Sequence, residues 1–138
     1  ITDSGIETLC NVLTEGTSSL YHLNVRNNRM TGEGFRIMCE ALKHAKCMLS
    51  YLDIWLFGES LSISNVAFNG HKNICDALKH ENCKLTVLSI IWSGNVSELC
   101  EALRHENCKL KTLNIGYSQR HTRELLEKAS NVPGFQVV

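Results

Sequence analysis

Sixteen residues recur in this chain, and their recurrence limits what it can fold into. The stretch Cys-Asp-Ala-Leu-Lys-His-Glu-Asn-Cys-Lys-Leu-Thr-Val-Leu-Ser-Ile at 75–90 returns at 100–115 with 11 of 16 positions identical. It returns more loosely at 39–54 and as an echo at 10–25. Counted from the first Cys of each copy, the units are spaced 29, 36 and 25 residues apart, and Leu126 takes the equivalent place 26 residues after Cys100. Self-similarity at such a period is the signature of an array in which one supersecondary unit stacks on the next. Each unit is too small to bury its own apolar face, so the neighbours must bury it.

The unit reads as a helix followed by a strand. Ile6, Leu9, Val12 and Leu13 recur at helical spacing, with a capping box from Ser4 and Glu7 at the start. A second stripe is Phe35, Met38, Ala41 and Leu42, and further helices are expected at 72–79, 96–105 and 122–130. Pro133 bars continuation of the last one. Strands are expected at Leu20, Leu23 and Val25, at Leu49, Leu52 and Ile54, at Leu85, Leu88 and Ile90, and at Leu110, Leu113 and Ile115. The last two anchors of each alternate, as on a half-buried strand. Residues 135–138, though short, are expected to close the array as a terminal strand.

Lys plus Arg equals Asp plus Glu, so the net charge is zero. That removes the general electrostatic case for nucleic acid or an anionic membrane surface as partner. The apolar runs are too short to span a membrane, and no basic stretch followed by an apolar one is visible at the start, so no signal peptide is expected. Seven cysteines lie at two fixed phases of the repeat, Cys10, Cys39, Cys75 and Cys100, then Cys47, Cys83 and Cys108. Phase-locked thiols are expected as small reduced core residues, which implies a cytoplasmic protein. The sequon Asn95-Val96-Ser97 matters only in a secreted chain.

The pattern L-x-x-L-x-L-x-x-N followed by a helix is that of leucine-rich repeats. The run Leu-Cys-Glu-Ala-Leu-Arg-His-Glu-Asn-Cys-Lys-Leu-Lys-Thr-Leu-Asn-Ile at 99–115 resembles the ribonuclease-inhibitor-like subclass, which also builds the C-terminal sensor region of NOD-like receptors. The resemblance implies an α/β solenoid, a curved parallel sheet inside and helices outside, as one domain over 1–138. Helices are wider than strands, roughly 10 Å against 4.8 Å, so such a stack must curve with the sheet on the concave side. Because the first helix has no strand before it, the chain is expected to be a fragment of a longer array or an unusually capped one.

Cys-x4-His-x2-Cys occurs three times, as Cys39/His44/Cys47, Cys75/His80/Cys83 and Cys100/His105/Cys108, and looks like half a zinc site. Its recurrence at the repeat period is explained by packing, with each His near a helix C-terminus and its last carbonyls. No nucleophile–base pair and no phosphate-binding glycine loop stands out, so neither an enzyme, a metal nor a cofactor is expected. Asn28 fills the turn position after the first strand, which Ser93 and Ser118 fill in part and Phe57 does not. The unit that holds Phe57 carries about seven extra residues, within 58–68, and insertions in repeat arrays often map to the binding face.

Function is expected where the copies disagree. Residues flanking the buried anchors point to the sheet's other face: His22, Asn24 and Arg26; Tyr51, Asp53 and Trp55; Val87, Ser89 and Ile91; Thr112, Asn114 and Gly116, with Trp92 and Tyr117 at the strand exits. From these, His22, Asn24, Arg26, Tyr51, Asp53, Trp55, Ile91, Trp92, Asn114 and Tyr117 are the candidate protein-binding residues, since large aromatics and Arg dominate interfaces. The expected function is a non-enzymatic protein–protein interaction scaffold, as in the sensor region of an innate immune receptor. The alternatives are an inhibitor that occludes an enzyme, or a bacterial effector acting in a host cell. The neutral charge speaks against the inhibitor, because ribonuclease binding in the resembled family leans on an acidic surface.

Overall fold

A computed structural model describes residues 1–55, 70–92, 95–116 and 120–138. The insertion at 58–68, Phe57, Ser93, Tyr117 and Ser118 lie outside the described residues. Within them the chain runs α1 (Asp3–Glu15), β1 (His22–Asn24), α2 (Gly32–Leu42), β2 (Tyr51–Ile54), α3 (Gly70–Leu78), β3 (Val87–Ile90), α4 (Val96–Arg104), β4 (Thr112–Asn114), α5 (Arg120–Ala129) and β5 (Gln136–Val137). The architecture is α/β, with one five-stranded parallel sheet in the order β1-β2-β3-β4-β5. Parallel neighbours need a crossover, and helices supply it here.

The register carries the repeat into space. His22 faces Tyr51, Tyr51 faces Val87, Val87 faces Thr112 and Thr112 faces Gln136. Leu23, Leu52, Leu88, Leu113 and Val137 form the adjacent row. Side chains alternate across a strand, so these two rows lie on opposite faces. Leu52, Leu88, Leu113 and Val137, with Val25, Ile54, Ile90 and Ile115, join the buried cluster that the helices complete. Strand entry uses one device three times. The N–H groups of Ser50 and Tyr51 donate to Tyr21 O, those of Thr86 and Val87 to Ser50 O, and those of Lys111 and Thr112 to Thr86 O.

Local sequence sets the helix ends. Thr31 caps α2 by accepting from Glu33 N–H, and Asn95 caps α4 by accepting from Ser97 N–H. Asn95 of the sequon thus serves as a helix cap. Gly16 ends α1 at φ +83°, where an L side chain is strained, and a Cβ there would meet Lys46 Cδ at 2.7 Å.

Some expectations need correction. The capping box at Ser4 and Glu7 does not form, because α1 starts earlier, after Thr2, and Ser4 O accepts the Thr8 hydroxyl inside the helix. Val12 is 42% exposed, and Cys10 takes its place in the buried stripe with Ile6 and Leu13. Leu20 is exposed, whereas Leu49, Leu85 and Leu110 are buried, since β1 is the first strand of the sheet and has no neighbour on that side among the described residues. Leu126 does not stand where Cys100 does. Met38 and Ala41, Ile74 and Ala77, and Leu99 and Ala102 are buried pairs three residues apart, and Leu126 with Ala129 continues that series. Glu127 thus falls at the Cys position, and its Oε1 accepts from Val137 N–H at 3.2 Å, tying α5 to β5.

The motif that binds unit to unit is the His-x-Asn-Cys-Lys run. His80 Nδ1 accepts from Asn82 N–H and His105 Nδ1 from Asn107 N–H, while Cys83 N–H and Cys108 N–H donate to the same histidines' carbonyls. His44 does likewise with Lys46 and Cys47. These histidines shape a turn with the ring nitrogen as acceptor, not as donors to the last helical carbonyls. The turns at His80 and His105 each aim two side chains at the preceding unit. Asn82 Nδ2 donates to Lys43 O and Asn107 Nδ2 to Lys79 O, at the ends of α2 and α3. Lys84 Nζ donates to Ala45 O and Cys47 O, and Lys109 Nζ to Glu81 O and Cys83 O. Orphan carbonyls past a helix end are thus satisfied from the next unit. Lys109→Met, which keeps the apolar stem, is expected to cost about 1 kcal/mol, a charge-assisted bond discounted for exposure. Urea unfolding measures it, and Glu106→Gln on the same turn is the comparison that leaves the bonds intact.

All seven cysteines are buried and unpaired. Burial pushes the Cys10 and Cys75 thiols up to about 12, with smaller contributions from Cys47 on the first and Glu98 on the second. Burial raises Cys39, Cys47, Cys83 and Cys108 as well. The thiolate is the nucleophile, so these groups are poorly reactive while folded. Iodoacetamide at pH 8 is expected to leave the cysteines of the folded chain unlabelled over minutes and to label all seven in denaturant, as read by intact mass.

Candidate protein-binding face

The sheet face opposite the helices is where the predicted residues gather. His22 and Tyr51 are register partners, and their rings stack with centroids 3.9 Å apart and planes 26° from parallel. One step along, Asn24 and Asn114 perform the same local task. Each side-chain Oδ1 accepts a backbone N–H two residues on, from Arg26 and Gly116 respectively. This Asx turn bends the chain out of the strand. It also commits the side-chain oxygen of both amides to the backbone and leaves the Nδ2 donors uncommitted among the described residues.

The next positions hold the densest cluster. The Arg26 guanidinium lies 3.5 Å over the Trp55 ring, and its Nη1 is 3.4 Å from Asp53 Oδ2. Trp55 Nε1 donates to Ser89 Oγ at 3.2 Å. Three strands therefore fix one indole: β1 supplies the cation through the turn after Asn24, β2 the ring itself, and β3 the acceptor. Cation–π contact over Trp contributes about 0.5–1 kcal/mol at an exposed site and more when desolvated. The face was expected to display Asp53 and Ser89, but both are buried, at 5% and 4% exposure. Arg26 and Trp55 close over them. Arg26 keeps 34% of its side chain exposed against 7% for Asp53, so the cation is the outer member of the pair.

Two candidates stand apart from this cluster. Ile91 is exposed and lies 4.0 Å from where a Cβ on Gly116 would sit, continuing the row toward β4. Trp92 turns elsewhere. Its ring meets the edge of His71 on α3 with centroids 4.6 Å apart, and it packs against the common core. Partial burial lowers the His71 pKa, opposed by Glu98, so the neutral ring is favoured there. Tyr117 lies outside the described residues. Sequence reading missed the His22–Tyr51 stack, although both residues occupy the same phase of successive units.

Asp53 Oδ1, Arg26 Nε and Trp92 Nε1 are buried with no hydrogen-bond partner. Among the described residues, no helix is long and apolar enough to cross a membrane. No group of three or more His, Cys, Asp and Glu among them is placed to hold a metal ion. No family model matches the sequence, and comparison with the curated proteins returns no match.

Proposed function

We propose that the chain is a leucine-rich repeat solenoid of the ribonuclease-inhibitor-like kind, working as a non-enzymatic scaffold that binds a protein partner on the face opposite its helices. The observation that carries this reading is the Arg26–Trp55–Asp53–Ser89 cluster. Polar and aromatic side chains from three strands converge on a sheet face that no described helix covers. Fixing an indole and a guanidinium in advance lowers the ordering cost of association, and these two residue types dominate binding energy at interfaces. The repeat contributes the frame: in-register strands, the Asn and Lys bonds between units, and seven buried thiols that suit a reducing, cytoplasmic compartment. The sensor region of an intracellular receptor is the setting that the repeat sequence resembles.

The test is affinity capture with the full chain and with Tyr51→Ala and Trp55→Ala, each checked for an unchanged thermal unfolding profile. Loss of a captured protein from the Trp55→Ala sample, by tenfold or more, is the expected result for a buried aromatic anchor. Equal capture by all three proteins would set the reading aside.

A further inference from the structure

The chemistry of the open face selects among partners. Its charges are layered. The one carboxylate in the cluster, Asp53, lies beneath, while the Arg26 guanidinium lies above and meets solvent. Asn24 lies two residues before Arg26, and Asn114 is three strands along in the same row. Asn24 and Asn114 spend their carbonyl oxygens on the Arg26 and Gly116 N–H groups, which leaves their N–H₂ donors uncommitted among the described residues. Tyr51 and His22 add a hydroxyl and a ring on the stacked pair. Among the described residues the face shows one cation and several donors, with its counter-charge under cover, and so complements acceptors.

We propose that the open face binds an acidic segment of a protein partner, with a partner carboxylate on the outer edge of Arg26 and Trp55 beneath that guanidinium. The proposal rests on the protein-binding reading above and adds the chemistry of the bound segment. Asp53, buried close beneath Arg26, weakens the attraction for an incoming anion. The two residues therefore have opposite signs. Arg26→Gln removes the cation and weakens binding, whereas Asp53→Asn removes the buried negative charge and strengthens it.

The test is fluorescence anisotropy of labelled octaglutamate, octaglutamine and octalysine peptides, and of an oligonucleotide of equal charge to the first, titrated with the 138-residue chain at two salt concentrations. Octaglutamate is expected to bind best, with affinity falling as salt rises. Arg26→Gln is expected to weaken it about tenfold and Asp53→Asn to tighten it about threefold, the scale of a single close charge pair. Arg120→Gln, on a fully solvated arginine of α5, serves as the unchanged control. Arg26→Gln leaves Asp53 covered and unpaired, which threatens folding. The double variant Arg26→Gln/Asp53→Asn removes both charges and is expected to fold and still not bind. Preference for octalysine or the oligonucleotide overturns the proposal, as does a loss of affinity in Asp53→Asn. If a captured protein depends on Trp55 yet octaglutamate does not compete with it, the acidic-segment proposal fails and the binding face stands.

Discussion

Leu88→Ala is expected to destabilise the protein by about 3–4 kcal/mol, within the range for truncating a fully buried leucine. Leu88 is 1% exposed in the middle strand, in register with Leu52 on one side and Leu113 on the other. The anchors that flank it come from adjacent units, so the lost methyls leave a cavity that two units share. Such a cavity closes poorly, because neither neighbour can shift without breaking its own strand pairing. Total stability of a domain this size is about 5–15 kcal/mol, so one such loss is a large fraction of it. Val87→Ala, one residue earlier and on the other face, removes a partly exposed side chain and is expected to cost less than about 1 kcal/mol. Urea denaturation of the two variants measures the contrast. Equal losses would mean that the two faces of β3 are not distinct.

Gly34→Ala is expected to cost about 2 kcal/mol, in the range for overpacking a fitted site. Gly34 lies in the first turn of the second helix, where an added Cβ would meet Met30 Cγ at 2.6 Å and run into Asp3 Oδ1. Asp3 is not free to yield. Its carboxylate accepts the Thr31 N–H at 2.8 Å and the Thr31 hydroxyl, which joins the start of α1 to the cap of α2. Making room for the methyl therefore loosens the bonds that hold the two helices in place. The cost is predicted to be coupled to that carboxylate. With Asp3→Ala already present, Gly34→Ala should cost at least 1 kcal/mol less, which a double-mutant cycle reads directly. Full additivity would show that the methyl is accommodated elsewhere, around Met30.

How much of this was legible in the sequence depends on how local each cause is. The helix–strand alternation was readable because one spacing repeats. The anchors Leu52, Leu88 and Leu113 lie in one row for that reason. The candidate face followed from the same parity, and the register puts His22, Tyr51, Val87 and Thr112 side by side. What escaped was set between units. The Asn-Cys-Lys run looked like packing plus a metal-ligand echo. Its work is to bond the carbonyls of the preceding turn, which no single copy displays. The burial of Asp53 and Ser89 likewise depends on Arg26 and Trp55 folding over them from neighbouring strands. Trp92 shared the strand-exit position that made it a candidate, but its ring goes to His71. A side chain just past a strand has left the alternation that fixes its direction.

The central claim is that the partner meets the sheet and not the helices. Site-specific photo-crosslinking tests it most directly, with a photoreactive residue placed at His22 on the open face or at Glu101 on the outer side of α4, both exposed. The partner recovered by affinity capture is added to each. Adducts from position 22 and none from position 101 are the predicted result. Adducts from position 101 alone would contradict the account.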